Sequence, residues 1–208
     1  MNTGTPKLTP PIHEAYEDVL DAVFSEPTGS KSLPSADYLI EFVPDKLGKI
    51  LELGTGAGNF AERMLTLDVN VKIVTVDLYR GEDKVEVVDG KEVRTPTFRE
   101  AERLATKERL SKFGQRAIMY QVDFLDALKS LPGNVFNLVF IDGPLDESHQ
   151  PGWAQRSWIA LRSGGVFAGT GYSSETPHVK AWVDELAQGW GHKVNEMRDG
   201  SGIWWFKK

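Results

Sequence analysis

The sequence predicts an α/β fold: a doubly wound, seven-stranded, mostly parallel sheet that ends in a C-terminal antiparallel hairpin. Three observations predict it. A short apolar run at residues 50–53 meets closely spaced glycines and then helical periodicity. A second apolar run, 71–76, ends in Asp77, at the distance from the first that a βαβ unit requires. Strand-like runs then recur near residues 118, 138 and 167, with amphipathic helices between them, and two more near 195 and 205 flank Asp199-Gly200-Ser201-Gly202.

Taken in order, residues 1–11 are polar and hold three prolines. Ile12, Ala15, Tyr16, Val19, Leu20 and Val23 recur at helical spacing, so 12–24 reads as a helix that packs beside the core or covers a cleft. A Ser, Gly and Pro loop follows at 25–34, and a short helix at 35–43. This divides the chain into 1–34, a tail and helix that is a candidate lid, and 35–208, the main domain.

Within that domain, Lys49 to Phe60 reads K-I-L-E-L-G-T-G-A-G-N-F. A strand, a glycine loop and a helix in that order set backbone N–H groups beside a ligand. Glu52 lies just before Gly54, Thr55, Gly56, Gly58 and Asn59, and a carboxylate there suits a partly cationic ligand better than a bare phosphate. Asp77 stands at a strand end, where it can accept hydrogen bonds from both hydroxyls of a ribose. The spacing is G-x-G-x-G, which differs from the G-x-G-x-x-G of nicotinamide sites, and no P-loop lysine follows.

Residues 81–96 break the strand–helix alternation. Val85 and Val87 alternate with polar residues and Asp89-Gly90 is a hairpin turn, so an inserted β-hairpin is expected. An amphipathic helix is expected over 97–113, with Phe98, Ala101, Leu104 and Ala105 facing inward. Asp123 and Phe124 follow the next strand, where Asp123 can also cap a helix. The apolar run 136–141 reads as a central strand ending in Asp142, at the ligand edge of the sheet. His149 lies in the polar loop that follows, and Tyr172 lies just beyond a strand expected at 166–169.

Glu52, Gly54, Gly56, Gly58 and Asp77 together resemble the cofactor signature of the class I S-adenosylmethionine-dependent methyltransferases, which have a Rossmann-like sheet. The resemblance covers about residues 35–208. It implies S-adenosyl-L-methionine as cofactor, with the glycine loop around its amino-acid part and Asp77 on its ribose. It also implies that Leu78, Asp123 and Phe124 lie near the adenine and that Asp142, itself a cofactor-binding candidate, borders the reacting centre. F-N-L-V-F-I-D-G and L-R-S-G-G-V-F-A-G-T-G-Y are similar to the catechol-type and sugar O-methyltransferase branch. That branch holds a divalent cation with further acidic and histidine groups. Pro144, Leu145 and Gly171 stand in those places here, so no metal ligand is assigned.

The expected activity is methyl transfer to an oxygen of a small-molecule acceptor, with Asp142, His149 and Tyr172 as candidate catalytic residues. N-methylation of a small molecule and a non-catalytic cofactor-binding protein are the alternatives. A net charge of −6 over 208 residues argues against a nucleic-acid substrate. The chain has no cysteine, so thiolate chemistry is excluded. No apolar segment suits a signal or a membrane span, which favours a cytoplasmic setting with no membrane partner. A homo-oligomer is left open.

Overall fold

The computed structural model of the chain describes residues 35–43, 48–143, 150–197 and 200–208. The expected helix at 12–24, the division at residue 34 and His149 lie outside these residues. A 3-10 helix, Ser35–Phe42, stands where a short helix is expected. The first half of the domain then runs β1 (Lys49–Leu53), α1 (Asn59–Leu67), β2 (Lys72–Val76), β3 (Lys84–Val88), β4 (Lys91–Thr95) and α2 (Glu100–Ser111). The second half runs β5 (Ala117–Tyr120), α3 (Phe124–Ser130), β6 (Phe136–Ile141), α4 (Gln150–Ala160), β7 (Leu161–Gly169), α5 (Pro177–Gly189), β8 (Asn195–Glu196) and β9 (Trp204–Lys207).

The main sheet has the order β5-β2-β1-β6-β7-β9-β8. The pairings from β5 to β7 are parallel, and β9 pairs antiparallel with both β7 and β8. β9 therefore lies inside the sheet, as its apolar sequence requires. β1 pairs with β2 on one side and β6 on the other, so the strand order reverses there. In open α/β sheets, ligands bind outside the carboxyl ends of the strands at such a switch point.

β1, β2 and β6 are apolar because both sheet faces are covered; all six residues of β6 are buried. On one face Leu51, Val74, Val139 and Phe167 pack with residues of α3, α4 and α5. On the other, Ile50, Ile73, Leu138 and Phe140 meet α1, Leu39 and Leu110. Phe60 of α1 stacks on Phe140 with ring centroids 3.8 Å apart, which anchors the helix that leaves the glycine loop. Among the described residues, no helix is long and apolar enough to cross a membrane.

Two local expectations need correction. The inward face of α2 is Thr106 and Leu110, while Phe98 and Leu104 are each 51% exposed. The reason is close approach: a Cβ at Gly58 would lie 2.8 Å from the Thr106 methyl, so this helix presses a small side chain on the loop. β7 also begins at Leu161, well before the expected residue 166, because Leu161 already pairs with Phe136.

β3 and β4 form a separate two-stranded antiparallel sheet. Asp89 and Gly90 have φ of 53° and 73°, the left-handed pair that a tight type I′ hairpin turn needs. The hairpin joins the domain through a short neck. Gly81 N–H donates to Thr97 O at 2.9 Å and Arg99 N–H to Tyr79 O at 2.6 Å, around an Arg80–Phe98 bridge.

Candidate active site

The site forms where β1, β2 and β6 end side by side. Gly54 N–H donates to Val76 O at 2.9 Å, and Asp142 N–H to Leu53 O at 2.8 Å, which fixes the three strand ends together. Gly54 has φ of 95°, and a Cβ there would lie 2.1 Å from the Asp142 carbonyl oxygen. Glycine is thus required at 54 by both backbone conformation and contact. Gly56 differs: a Cβ there would meet only Glu102 Oε1, at 3.9 Å, so open space lies over the main chain.

The loop is clamped at Gly56 on both sides of its backbone. Its N–H donates to Asp77 Oδ2 at 2.9 Å. Its carbonyl accepts from the Tyr79 hydroxyl at 3.1 Å and from the Thr106 hydroxyl at 2.8 Å. Asp77 Oδ1 accepts from Tyr79 N–H at 2.6 Å, and the Arg99 guanidinium lies 3.6 Å away. Tyr79 is completely buried, and burial pushes its hydroxyl pKa up to about 12, so it stays protonated as a donor. Leu78 is half-buried at the rim. The Thr55 and Thr75 hydroxyls bond to each other beneath the loop. Asn59 starts α1 and its side-chain oxygen accepts from Arg109 of α2.

Glu52 is fully buried between Thr75 of β2 and Phe140 of β6. Neither carboxyl oxygen has a hydrogen-bond partner. The Thr75 hydroxyl and the Ala61 backbone lie beside it and offset a little of the burial, but not in bonding geometry. Burial first, then repulsion from Asp142 and Asp77, holds its pKa well above the ordinary value of 4.5. Asp77 and Asp142 thus both lie near enough to act on the buried Glu52 at this edge.

Asp142 is exposed, and its Oδ1 accepts from the Thr170 hydroxyl at 2.8 Å. Asp123 caps α3, accepting from Leu125 N–H at 2.8 Å. Phe124 borders the same edge, its ring 3.1 Å from where a Gly143 Cβ would stand. Tyr172 is set apart from this group. Its hydroxyl donates to Asp184 of α5 at 2.7 Å, its ring packs in the core, and burial together with Asp184 pushes its pKa up to about 12. Among the described residues, no group of three or more His, Asp or Glu side chains is placed to hold a metal ion.

Sequence reasoning missed Thr106, Arg99 and Thr170 as neighbours of the site. Thr170 had a usable signal, since it follows a strand that must end beside Asp142. Thr106 and Arg99 had none, because their position depends on how α2 leans on the loop.

No family model and no curated protein matches the sequence. Solved structures do. A protein of Corynebacterium glutamicum has a TM-score of 0.60 at 15% identity, with 94% of this chain and 88% of that one covered. CalS11, a TDP-rhamnose 3′-O-methyltransferase of calicheamicin biosynthesis, has a TM-score of 0.61 at 17% identity, over 82% of this chain and 76% of that one. An rRNA methylase from Streptococcus thermophilus has a TM-score of 0.53 at 15% identity, covering 86% and 99%. With the strand order and the terminal antiparallel pair, these likenesses show that the chain has the fold of the class I S-adenosylmethionine-dependent methyltransferases.

Proposed function

We propose that this chain is an S-adenosylmethionine-dependent methyltransferase that acts on an oxygen of a small molecule. The observation that carries the reading is the edge where an open glycine turn meets Glu52, Asp77 and Asp142. The residues fit the cofactor. The exposed main chain at Gly56 offers close approach to its amino-acid part, and Asp77 keeps acceptor capacity for ribose hydroxyls beside its two backbone donors. A carboxylate-rich edge favours a cationic ligand over an anionic one. Leu78, Asp123 and Phe124 are assigned to the adenine side.

When bound, the cofactor supplies a methyl group activated on a sulfonium. The protein's part is to hold the acceptor, exclude water and manage one proton. Asp142 is assigned the last task. Thr170 fixes one of its oxygens, and the exposed carboxylate accepts a hydrogen bond, and then the proton, from an acceptor hydroxyl. His149, outside the described residues, stays a further candidate base. Tyr172 acts through Asp184 and α5, which leaves it a structural part in this reading.

CalS11 is an O-methyltransferase of a sugar nucleotide, which supports an oxygen acceptor. The likeness to an rRNA methylase is outweighed by a net charge of −6, since phosphate backbones are held by basic surfaces. The test is radiolabelled methyl transfer to panels of hydroxylated small molecules, amines and RNA. Calorimetric binding of S-adenosylhomocysteine runs alongside. Labelling of a hydroxylated compound supports the proposal, labelling of amines alone moves it to nitrogen, and an absence of cofactor binding sinks it.

A further inference from the structure

The β3–β4 hairpin is built unlike the rest of the domain. All ten residues of its two strands are exposed. Four valines are among them: Val85, Val87, Val88 and Val93, between 43% and 71% exposed. An isolated two-stranded hairpin is marginal in water and gains stability from added strands. Both long edges of this one carry free backbone groups.

Backbone phase decides which groups those are. The two-residue turn closes on the Val88–Lys91 pair, so that pair, and Glu86–Val93 beyond it, exchange hydrogen bonds within the hairpin. Glu92 and Arg94 therefore turn their N–H and C=O groups outward from the β4 edge. An antiparallel partner strand would pair with those two residues.

β4 reads Lys-Glu-Val-Arg-Thr, and this sequence is complementary to itself. In a twofold antiparallel pairing centred on Val93, Glu92 stands opposite Arg94 of the second copy, and Arg94 opposite its Glu92. Val93 meets Val93. Opposite charges directly across a strand pair are stabilising, and like charges are not. The backbone phase and the charge pattern select the same register. β3 lacks this match over its length, since its full pairing with itself sets Glu86 against Glu86. The shifted register that would match Lys84 with Glu86 pairs Val87 with Asp83, which lies outside the strand. Pro96, next in line on the β4 edge, has no N–H to extend the ladder.

We propose that a second copy of this chain docks along β4 and joins two hairpins into one four-stranded sheet across a twofold axis. The pairing is closed, because each copy spends the same edge. The contact is small, so the dimer is weak and reversible. It does not depend on the methyltransferase reading.

The test is sedimentation velocity on the full chain, with Glu92→Arg and Arg94→Glu. Wild type should show a concentration-dependent dimer. Each variant, checked for native circular dichroism, should raise the dissociation constant at least about tenfold, because every cross-strand pair becomes like-charged. The equimolar mixture of the two should dimerise as wild type does, since each introduced charge then faces an opposite charge across the twofold axis. A wild type that stays monomeric at the highest attainable concentration overturns the proposal. So does a dimer that both variants retain, or a mixture that fails to recover.

Discussion

Asp77 holds the N–H of Gly56 at 2.9 Å, so the carboxylate ending β2 fixes the loop that ends β1. A residue assigned to the ribose is also the loop's tether. Asp77→Ala should weaken S-adenosylmethionine binding by about 1–3 kcal/mol, the worth of a charge-assisted bond. It should also lower the melting temperature, because the Gly56 N–H loses its acceptor. Asp77→Asn keeps an acceptor oxygen and should lose less of both. Calorimetry and thermal melts read the two effects separately. Unchanged affinity in the alanine variant would remove Asp77 from the ribose site.

Gly54 and Gly56 should fail in different ways. Gly54→Ala drives a Cβ into the Asp142 carbonyl, and the cost should exceed about 3 kcal/mol of stability. Gly56→Ala meets only a φ of 47°, a strain of about 1 kcal/mol, so the protein should fold. Its affinity for S-adenosylhomocysteine should still fall, since the methyl enters the open space over the main chain. Thermal unfolding sorts the first case and calorimetry the second. A Gly56→Ala variant with full affinity would place the cofactor elsewhere.

Glu52 gives the protein a pH signature. Its folded-state pKa is raised by burial, so the folded state binds more protons than the unfolded chain above the ordinary value of 4.5. Stability from this group is fully present below 4.5 and falls as pH rises toward and through the raised value. Glu52→Gln removes the titration. Its melting temperature should exceed wild type by a margin that grows as pH rises from the ordinary value of 4.5 through the raised one. Parallel curves for the two proteins would show that Glu52 does not titrate as a buried group.

Asp142 and Thr170 can be told apart kinetically. If Asp142 takes the acceptor proton, Asp142→Asn should lower kcat/KM at least about 100-fold, far more than it lowers cofactor affinity. Thr170→Val leaves the carboxylate but frees its orientation, so a loss of about tenfold or less is expected. Equal losses in both variants would argue for a shared structural role rather than proton transfer.

The sequence carried the strand ends well, because a buried parallel strand that stops at glycine or aspartate leaves a sharp trace. Asp77, Asp142 and the Gly54 turn, and the Asp89-Gly90 hairpin, were all legible in this way. The face of α2 was not. Periodicity looks for apolar residues, and this helix approaches the loop so closely that Thr106 fits where leucine would not. Tyr172 shows a second limit. Its place after β7 could be read, but the direction of its hydroxyl is set by Asp184, one helix further on. The clamp at Gly56 draws together the glycine loop, the end of β2 and the middle of α2, and it has no local signature at all.

The neck below the β3–β4 arm makes that arm a side branch of the chain. Tyr79 to Gly81 lead out and Thr97 to Arg99 lead back as hydrogen-bonded neighbours, so the loop is already closed at its base. Lengthening, trimming or exchanging what lies beyond changes the closure entropy only slowly. Asp77 and Arg99, on the domain side of that base, need not move when the arm does. The arm can therefore diverge as a graft, acquiring or losing partners while the strand-end site is inherited intact.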